Sequence, residues 1–301
     1  MTLEEGLPHR EWHIDKVTDG YLRLLKIDAL LYSGKTDYQK VKIFKNKALG
    51  KILVIDDDIQ LVEMDEWVYH EALVHPALFT HPKPSRIAII GGGDGGALRE
   101  ALKHPCVKEV FLVDIDRGVV EACRRLLPEV HGGSFDDPRV KFLHLDGKHF
   151  LKNPPGKFHG ILIDLTEPTK GPSKELYSKP FYELAKRALT YDGVMSLQAG
   201  SAMFHWNEEA SYFHGYSILA SLFPIVRPYI IGVPSFGSLW CFLMASKRLD
   251  PLKVSRRALA KRMAERGIET RYYTPELHKA LFTLPKFFLE GFDVRKKNSS
   301  Y

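Results

Sequence analysis

The sequence predicts an α/β protein, a Rossmann-like, doubly wound and mostly parallel sheet behind a small N-terminal antiparallel β module. Three observations carry that expectation. From Arg86 onward, apolar runs alternate with amphipathic helical segments. A glycine-rich string follows the first of those runs. Up to about residue 65, short apolar segments are broken by turns. The division is therefore expected at residues 1–65 for the module and 66–301 for the Rossmann-like domain.

In the module the apolar segments are Tyr21–Leu25, Val41–Phe44, Lys51–Ile55 and Gln60–Val62. The turns between them carry Gly34, Asn46, Gly50 and the run Asp56-Asp57-Asp58. Glu66–Leu78 reads as a helix that leads into the polar break of residues 81–85. Strands are then predicted at Arg86–Ile90, Glu109–Val113, Val140–Leu145, Gly160–Ile163 and Gly193–Leu197. Helices are predicted at Ala97–His104, Gly118–Leu127, Lys179–Leu189 and Glu208–Leu222. Val226–Val233 and Leu239–Ala245 flank a Pro-Ser-Phe-Gly turn and suit an antiparallel addition at the sheet edge.

Composition narrows the class. With 301 residues, 45% hydrophobic and 27% charged, the chain matches a soluble globular protein with room for a full core. No apolar run approaches the ~20 residues that span a bilayer, and residues 1–10 are polar, so neither a membrane nor a leader is expected. Cys106, Cys123 and Cys241 lie far apart, which argues against disulfides or zinc and suits a cytoplasmic setting. The net charge of +6 could invite nucleic acid, yet the basic residues are scattered. Their one dense stretch, Lys253–Arg266, reads as the solvated face of a helix. No nucleic-acid partner is expected.

Ligands of an open parallel sheet bind beyond the carboxyl ends of its strands, so the residues after each strand matter most. The first is followed by Gly91-Gly92-Gly93-Asp94-Gly95-Gly96, whose glycines allow close backbone approach to a ligand before a helix begins. Such a string alone fits dinucleotide and adenosylmethionine enzymes alike. The second strand is followed by Asp114-Ile115-Asp116, with Asp114 18 residues past Gly96, where such folds place a carboxylate on ribose hydroxyls. Asp146-Gly147 follows the third and suits an adenine amine. Asp164-Leu165-Thr166-Glu167-Pro168 follows the fourth. Any one of these carboxylates could be a helix N-cap. Together with Asp94 they predict an acidic cleft on a basic protein. Asp94 would oppose the phosphates of a dinucleotide and the carboxylate of ordinary adenosylmethionine. It suits a nucleoside cofactor whose charged groups are a sulfonium and a free amine.

The stretch Gln60–Pro82 (QLVEMDEWVYHEALVHPALFTHP), followed by IIGGGDGGALREALKHP at 89–105 and RYYTPELHKALFTLPKF at 271–287, closely resembles the spermidine synthase family. The resemblance runs from about Asp15 to Gly291. DLTEP, SLQAG and VPSF followed by Trp240 are most similar to thermospermine synthases and to thermophile triamine or agmatine aminopropyltransferases. The resemblance implies aminopropyl transfer from decarboxylated S-adenosylmethionine, a co-substrate, to a polyamine, releasing methylthioadenosine. No prosthetic group or metal is implied, and a homodimer or homotetramer is.

Carried over by position, the resemblance implies that Gln39 and Asp114 bind the ribose. Asp146 and Gly147 hold the adenine between Ile115 and Pro172, and Gly91 and Gly93 belong to the cofactor loop. Asp94 anchors the aminopropyl amine, Tyr69 and His70 line the path between donor and acceptor, and Asp164 is the base, with Tyr69 beside it. Glu167, Phe236 and Trp240 face the acceptor. This chain has Glu167 where the family has Asp, Phe236 where a Tyr is usual, and an EPTKGP loop one residue longer than usual. These departures weaken a preference for putrescine and are compatible with a longer amine such as spermidine, or with agmatine. The rival enzyme reading is an adenosylmethionine-dependent methyltransferase of the same fold. Asn153-Pro154-Pro155 superficially resembles a nucleic-acid methyltransferase motif but precedes the fourth strand instead of ending it. A non-catalytic polyamine or nucleoside binder is the second rival.

Overall fold

The computed structural model describes residues 11–167, 172–203 and 212–289. Two antiparallel sheets come first: β1 (Trp12–Thr18) with β2 (Tyr21–Lys26), then a meander of β3 (Ala29–Lys35), β4 (Lys40–Asn46), β5 (Gly50–Ile55) and β6 (Asp58–Val62). The sequence pattern does not show β1 or β3. In β1 the inward positions include His13 and Asp15, so its alternation of burial is not an alternation of hydropathy.

The central sheet contains β7 (Arg86–Gly91), β8 (Glu109–Asp114), β9 (Val140–His144), β10 (Phe158–Asp164), β11 (Leu189–Ser201), β12 (Ile225–Val233) and β13 (Ser238–Ser246). Its order is β12-β13-β11-β10-β7-β8-β9. From β11 to β9 all neighbours are parallel, and β13 runs antiparallel to both β11 and β12. This is the doubly wound, mostly parallel sheet with an antiparallel edge that the sequence predicts. Strand order reverses between β7 and β10, so their carboxyl ends open the crevice where such sheets bind ligands.

Helices cover both faces: α1 (Glu66–Thr80), α2 (Gly96–Leu102), α3 (Arg117–Leu126), α4 (Pro128–His131), α5 (Gly147–Lys152), α6 (Lys179–Ala188), α7 (Tyr212–Leu222), α8 (Arg256–Arg266) and α9 (Pro275–Leu281). Residues 208–211 of the predicted fourth helix lie outside the described residues. The basic stretch forms α8, capped by Ser255 and burying Leu259. Its face is only partly solvated, because Arg262 and Arg266 are half-buried and donate to the Phe79, Thr80 and Leu78 carbonyls at the end of α1. No helix among the described residues is long and apolar enough to cross a membrane.

Pleating sorts β7 between two cores. Ile87 and Ile89 join α1 and α2 on one face, while Ala88 and Ile90 join α5 and α6 on the other. Each fully buried isoleucine contributes about 1.5–3 kcal/mol. A third cluster packs Val41, Ile43, Leu53, Ile55 and Leu61 of the N-terminal meander against Val119, Ala122 and Cys123 of α3, Val130 of α4 and Leu127 between them. Polar ties add to it: Thr36 donates to Asp116, and Lys51 pairs with Glu129 at 2.7 Å. The meander is thereby fastened beside the crevice, where it supplies Gln39 and Gln60 to the wall.

Candidate active site

A cavity of about 1060 Å³, counted with its open mouth, lies over the carboxyl ends of β7, β8 and β10. It brings together Gln39, Tyr69, His70, Gly91, Gly93, Asp94, Asp114, Ile115, Asp146, Gly147, Asp164, Glu167, Phe236 and Trp240. Of the sequence candidates only Pro172 is missing from that wall. Its backbone opens a short turn at Pro172–Tyr177, and its side chain lies outside the described residues.

The crevice forms because β7 ends on glycine. Gly91 pairs in register with Asp164 and has φ +80°, and a Cβ there would lie 2.1 Å from the Asp164 carbonyl oxygen. That carbonyl accepts the Gly92 N–H at 2.8 Å. The loop and the end of β10 are thus joined through backbone, with the Asp164 side chain turned toward the cavity.

Asp94 accepts the Gly96 N–H at 2.7 Å and lies 3.3 Å from His70 Nε2. His70 Nδ1 is 2.6 Å from Glu66, which also takes a two-pronged contact from Arg99 at 2.8 and 3.0 Å. Burial by itself would strip the His70 proton. The Asp94 and Glu66 carboxylates more than offset it and raise the ring to about 10. Burial likewise opposes ionisation of Asp94, but the His70 charge and the Gly96 N–H hold it below the usual carboxylate range. At neutral pH the pair is imidazolium and carboxylate.

Asp164 Oδ1 accepts the Tyr69 hydroxyl at 2.7 Å, and Oδ2 has no partner among the described residues. Burial, followed by the nearby Asp94 charge, raises Asp164 from 3.8 to about 6. Burial and the same Asp164 carboxylate push the Tyr69 phenol well above 10.0, so it remains a donor. The ring of Tyr69 packs on Phe236 and Phe242 with centroids 5.9 and 5.2 Å away. Tyr69 therefore serves as core aromatic and as cavity wall at once. Asp114, also raised to about 6 mainly by burial, accepts the Asp116 N–H at 2.8 Å.

The helix-cap alternative holds for two carboxylates. Asp116 caps α3, and Asp146 caps α5 through the His149 N–H at 2.7 Å while also lining the cavity. Asp94, Asp114 and Asp164 cap no helix. Ligand atoms of His70, Asp94 and Asp164 come within 4.8 Å of one another, a spacing that suits a cation. His70 as imidazolium has no lone pair for a metal, so the chemistry of the cluster favours an organic ammonium.

Sequence reasoning assigned no role to Gln60, Gln198, Glu66 or Arg99. Gln198 is buried at the carboxyl end of β11 and donates to the Leu165 carbonyl and to the Tyr177 hydroxyl, both at 2.6 Å. It steadies the segment that carries Asp164 and Glu167. A glutamine inside the apolar run of Gly193–Ala199 was the available signal, because such a residue is seldom buried without partners.

Comparison with known proteins agrees with this architecture. Residues 66–255 match the spermine/spermidine synthase domain, and residues 11–63 match the spermidine synthase tetramerisation domain. A polyamine aminopropyltransferase from Caldicellulosiruptor saccharolyticus is 39% identical over 277 residues, covering 92% of this chain and 96% of that protein. A crystal structure of a spermidine synthase in complex with the transition-state analogue AdoDATO superposes with a TM-score of 0.88 at 33% identity, covering 94% of this chain and 95% of that one. The spermidine synthase of Thermotoga maritima gives a TM-score of 0.86 at 31% identity, covering 98% of this chain and 100% of that one. Fold, crevice and kinship converge: the chain belongs to the spermine/spermidine synthase family of polyamine aminopropyltransferases.

Proposed function

We propose that this chain transfers the aminopropyl group of decarboxylated S-adenosylmethionine to a polyamine acceptor and releases 5′-methylthioadenosine. The observation that carries the reading is the pairing, in one cavity, of an ionised Asp94 with an Asp164 whose Oδ2 has no hydrogen-bond partner among the described residues. Two anionic positions suit two cationic reactants. That a relative's structure holds AdoDATO supports the same donor.

In this reading Gln39 and Asp114 take the ribose, Asp146 and Gly147 take the adenine beside Ile115 and Pro172, and Gly91 and Gly93 admit the nucleoside to the loop. Asp94 holds the donor ammonium; ordinary adenosylmethionine keeps that amine but adds a carboxylate beside it, a like charge close to Asp94. This disfavours the methyltransferase alternative. Tyr69 and His70 line the path, and Glu167, Phe236 and Trp240 face the acceptor.

The reaction is a displacement in line. The acceptor nitrogen forms a bond to the methylene beside the sulfonium, the C–S bond breaks, and its electron pair leaves on sulfur as a neutral thioether. The nitrogen's proton passes to Asp164 Oδ2, while Tyr69 occupies Oδ1. Raising the base from 3.8 to about 6 narrows its gap to an amine near ~10.4 by about 2 units, or about 3 kcal/mol. Tyr69 and the Asp164 carboxylate together hold the nitrogen in line.

Glu167 and Phe236 weigh against putrescine as the preferred acceptor and suit a longer amine such as spermidine, giving a thermospermine or spermine type of product, or agmatine. The test is an endpoint assay with decarboxylated adenosylmethionine and each of the three amines. Methylthioadenosine release with one of them establishes the reaction, and the best amine names the acceptor. Tight binding of ordinary adenosylmethionine without such release would promote the methyltransferase.

A further inference from the structure

His70 is held from three sides. Its ring rests on the first turn of α2, where a Cβ at Gly96 would lie 2.2 Å from it, so helix and ring touch only because residue 96 is glycine. Nδ1 faces Glu66 at 2.6 Å and Nε2 faces Asp94 at 3.3 Å. Behind Glu66 stands Arg99, bonded to it twice, to Glu100 at 2.7 Å and to the Val130 carbonyl. Neither Glu66 nor Arg99 lines the main cavity. The order is therefore cavity, Asp94, His70, Glu66, Arg99, with each charge followed by its opposite.

We propose that Glu66 and Arg99 are positioning residues, an ion-pair brace that locks the His70 imidazolium against Asp94 and so aims the Asp94 carboxylate at the donor's ammonium. This rests on the reading above that Asp94 takes that amine. The groups facing His70 are Glu66 and Tyr69 on α1, Asp94 in the glycine loop, Arg99 on α2 and Asp164 at the end of β10. Without the Glu66 charge, the Nδ1 proton faces a weaker acceptor and the uncompensated Arg99 guanidinium. A buried imidazolium then sheds its proton, and the neutral ring can turn a lone pair toward Asp94. The carboxylate keeps the Gly96 N–H but loses its side-chain tether, and the ammonium loses a fully fixed partner.

The test compares two nucleosides by calorimetry on the full chain: decarboxylated adenosylmethionine, and 5′-dimethylsulfonio-5′-deoxyadenosine, which keeps the sulfonium and lacks the amine. Glu66→Gln is expected to weaken the first about tenfold and the second by less than about twofold, the size of one charge-assisted hydrogen bond. His70→Asn should do the same, and the double variant should lose no more than the worse single one. Arg99→Lys, which keeps the charge but not the two-pronged contact, should give a smaller loss with the same selectivity. It also serves if Glu66→Gln fails to fold. Equal weakening of both nucleosides, no weakening, or additive losses in the double variant would overturn the brace. Asp94→Asn separates the two readings. If it leaves the preference for the amine-bearing nucleoside intact, the Asp94 assignment fails and the brace fails with it. If it abolishes the preference while Glu66→Gln does not, only the brace fails.

Discussion

Asp164 combines two properties: one carboxylate oxygen is held by Tyr69 and the other is buried with no hydrogen-bond partner among the described residues. The raised value of about 6 has a sign for activity and for stability. A base must be ionised, so kcat/KM should rise with pH along a limb centred near 6 and level off above it. Asp164→Asn should lower kcat by about 10²–10⁴-fold and remove that limb. A pH series of initial rates on both proteins checks this, and a limb that survives in the variant would assign it elsewhere. For stability, the folded protein holds the proton more tightly than the unfolded chain does. The unliganded fold therefore loses stability as pH rises from 3.8 toward 6, a cost that a bound cation offsets. Residue types at this scale were legible in the sequence: carboxylates after successive strands pointed to cationic ligands. Which of them would be caps was not legible, because Asp146 and Asp164 follow their strands alike and differ only in the next turn of backbone.

At the scale of elements, the crevice depends on how β7 meets β10. Gly91 has φ +80°, and its absent Cβ would collide with the Asp164 carbonyl. Gly91→Ala thus combines a left-handed backbone with a backbone clash. It should cost at least about 2 kcal/mol. A thermal melt should show a Tm lower by several degrees, and an unchanged Tm would mean that the loop has another conformation open to it. The glycine string, the strand–helix alternation and the edge hairpin were readable because each is local in sequence. Strand β1 was not, since His13 and Asp15 take inward positions that only a neighbouring strand and Arg23 make tolerable. Nor was β3, since none of its positions is fully buried and its sequence carries no apolar alternation. The predicted strand at 193–197 extends to Leu189–Ser201 because pairing with both β10 and β13 continues past the apolar run.

At the scale of the whole molecule, the N-terminal sheets and the central domain share a buried cluster and one cavity. Residues 11–63 match a tetramerisation domain, and we infer that the chain assembles as a homodimer or homotetramer. In sedimentation, the full chain should run at a multiple of 34.3 kDa. A chain starting at residue 64 should aggregate, because Val119, Cys123 and Leu127 lose their cover. A well-behaved monomer from either sample would contradict this. By itself the sequence determined the fold class, the family resemblance and the acidic character of the cleft. These follow from hydrophobic periodicity and from residues adjacent along the chain. Only the tertiary structure decided that Gln39, Tyr69 and Trp240 share a cavity with Asp94 and Asp164, and that a line of alternating charges backs His70. Those relations join residues that are distant in sequence and depend on burial, which strengthens each electrostatic contact and leaves no trace in local pattern.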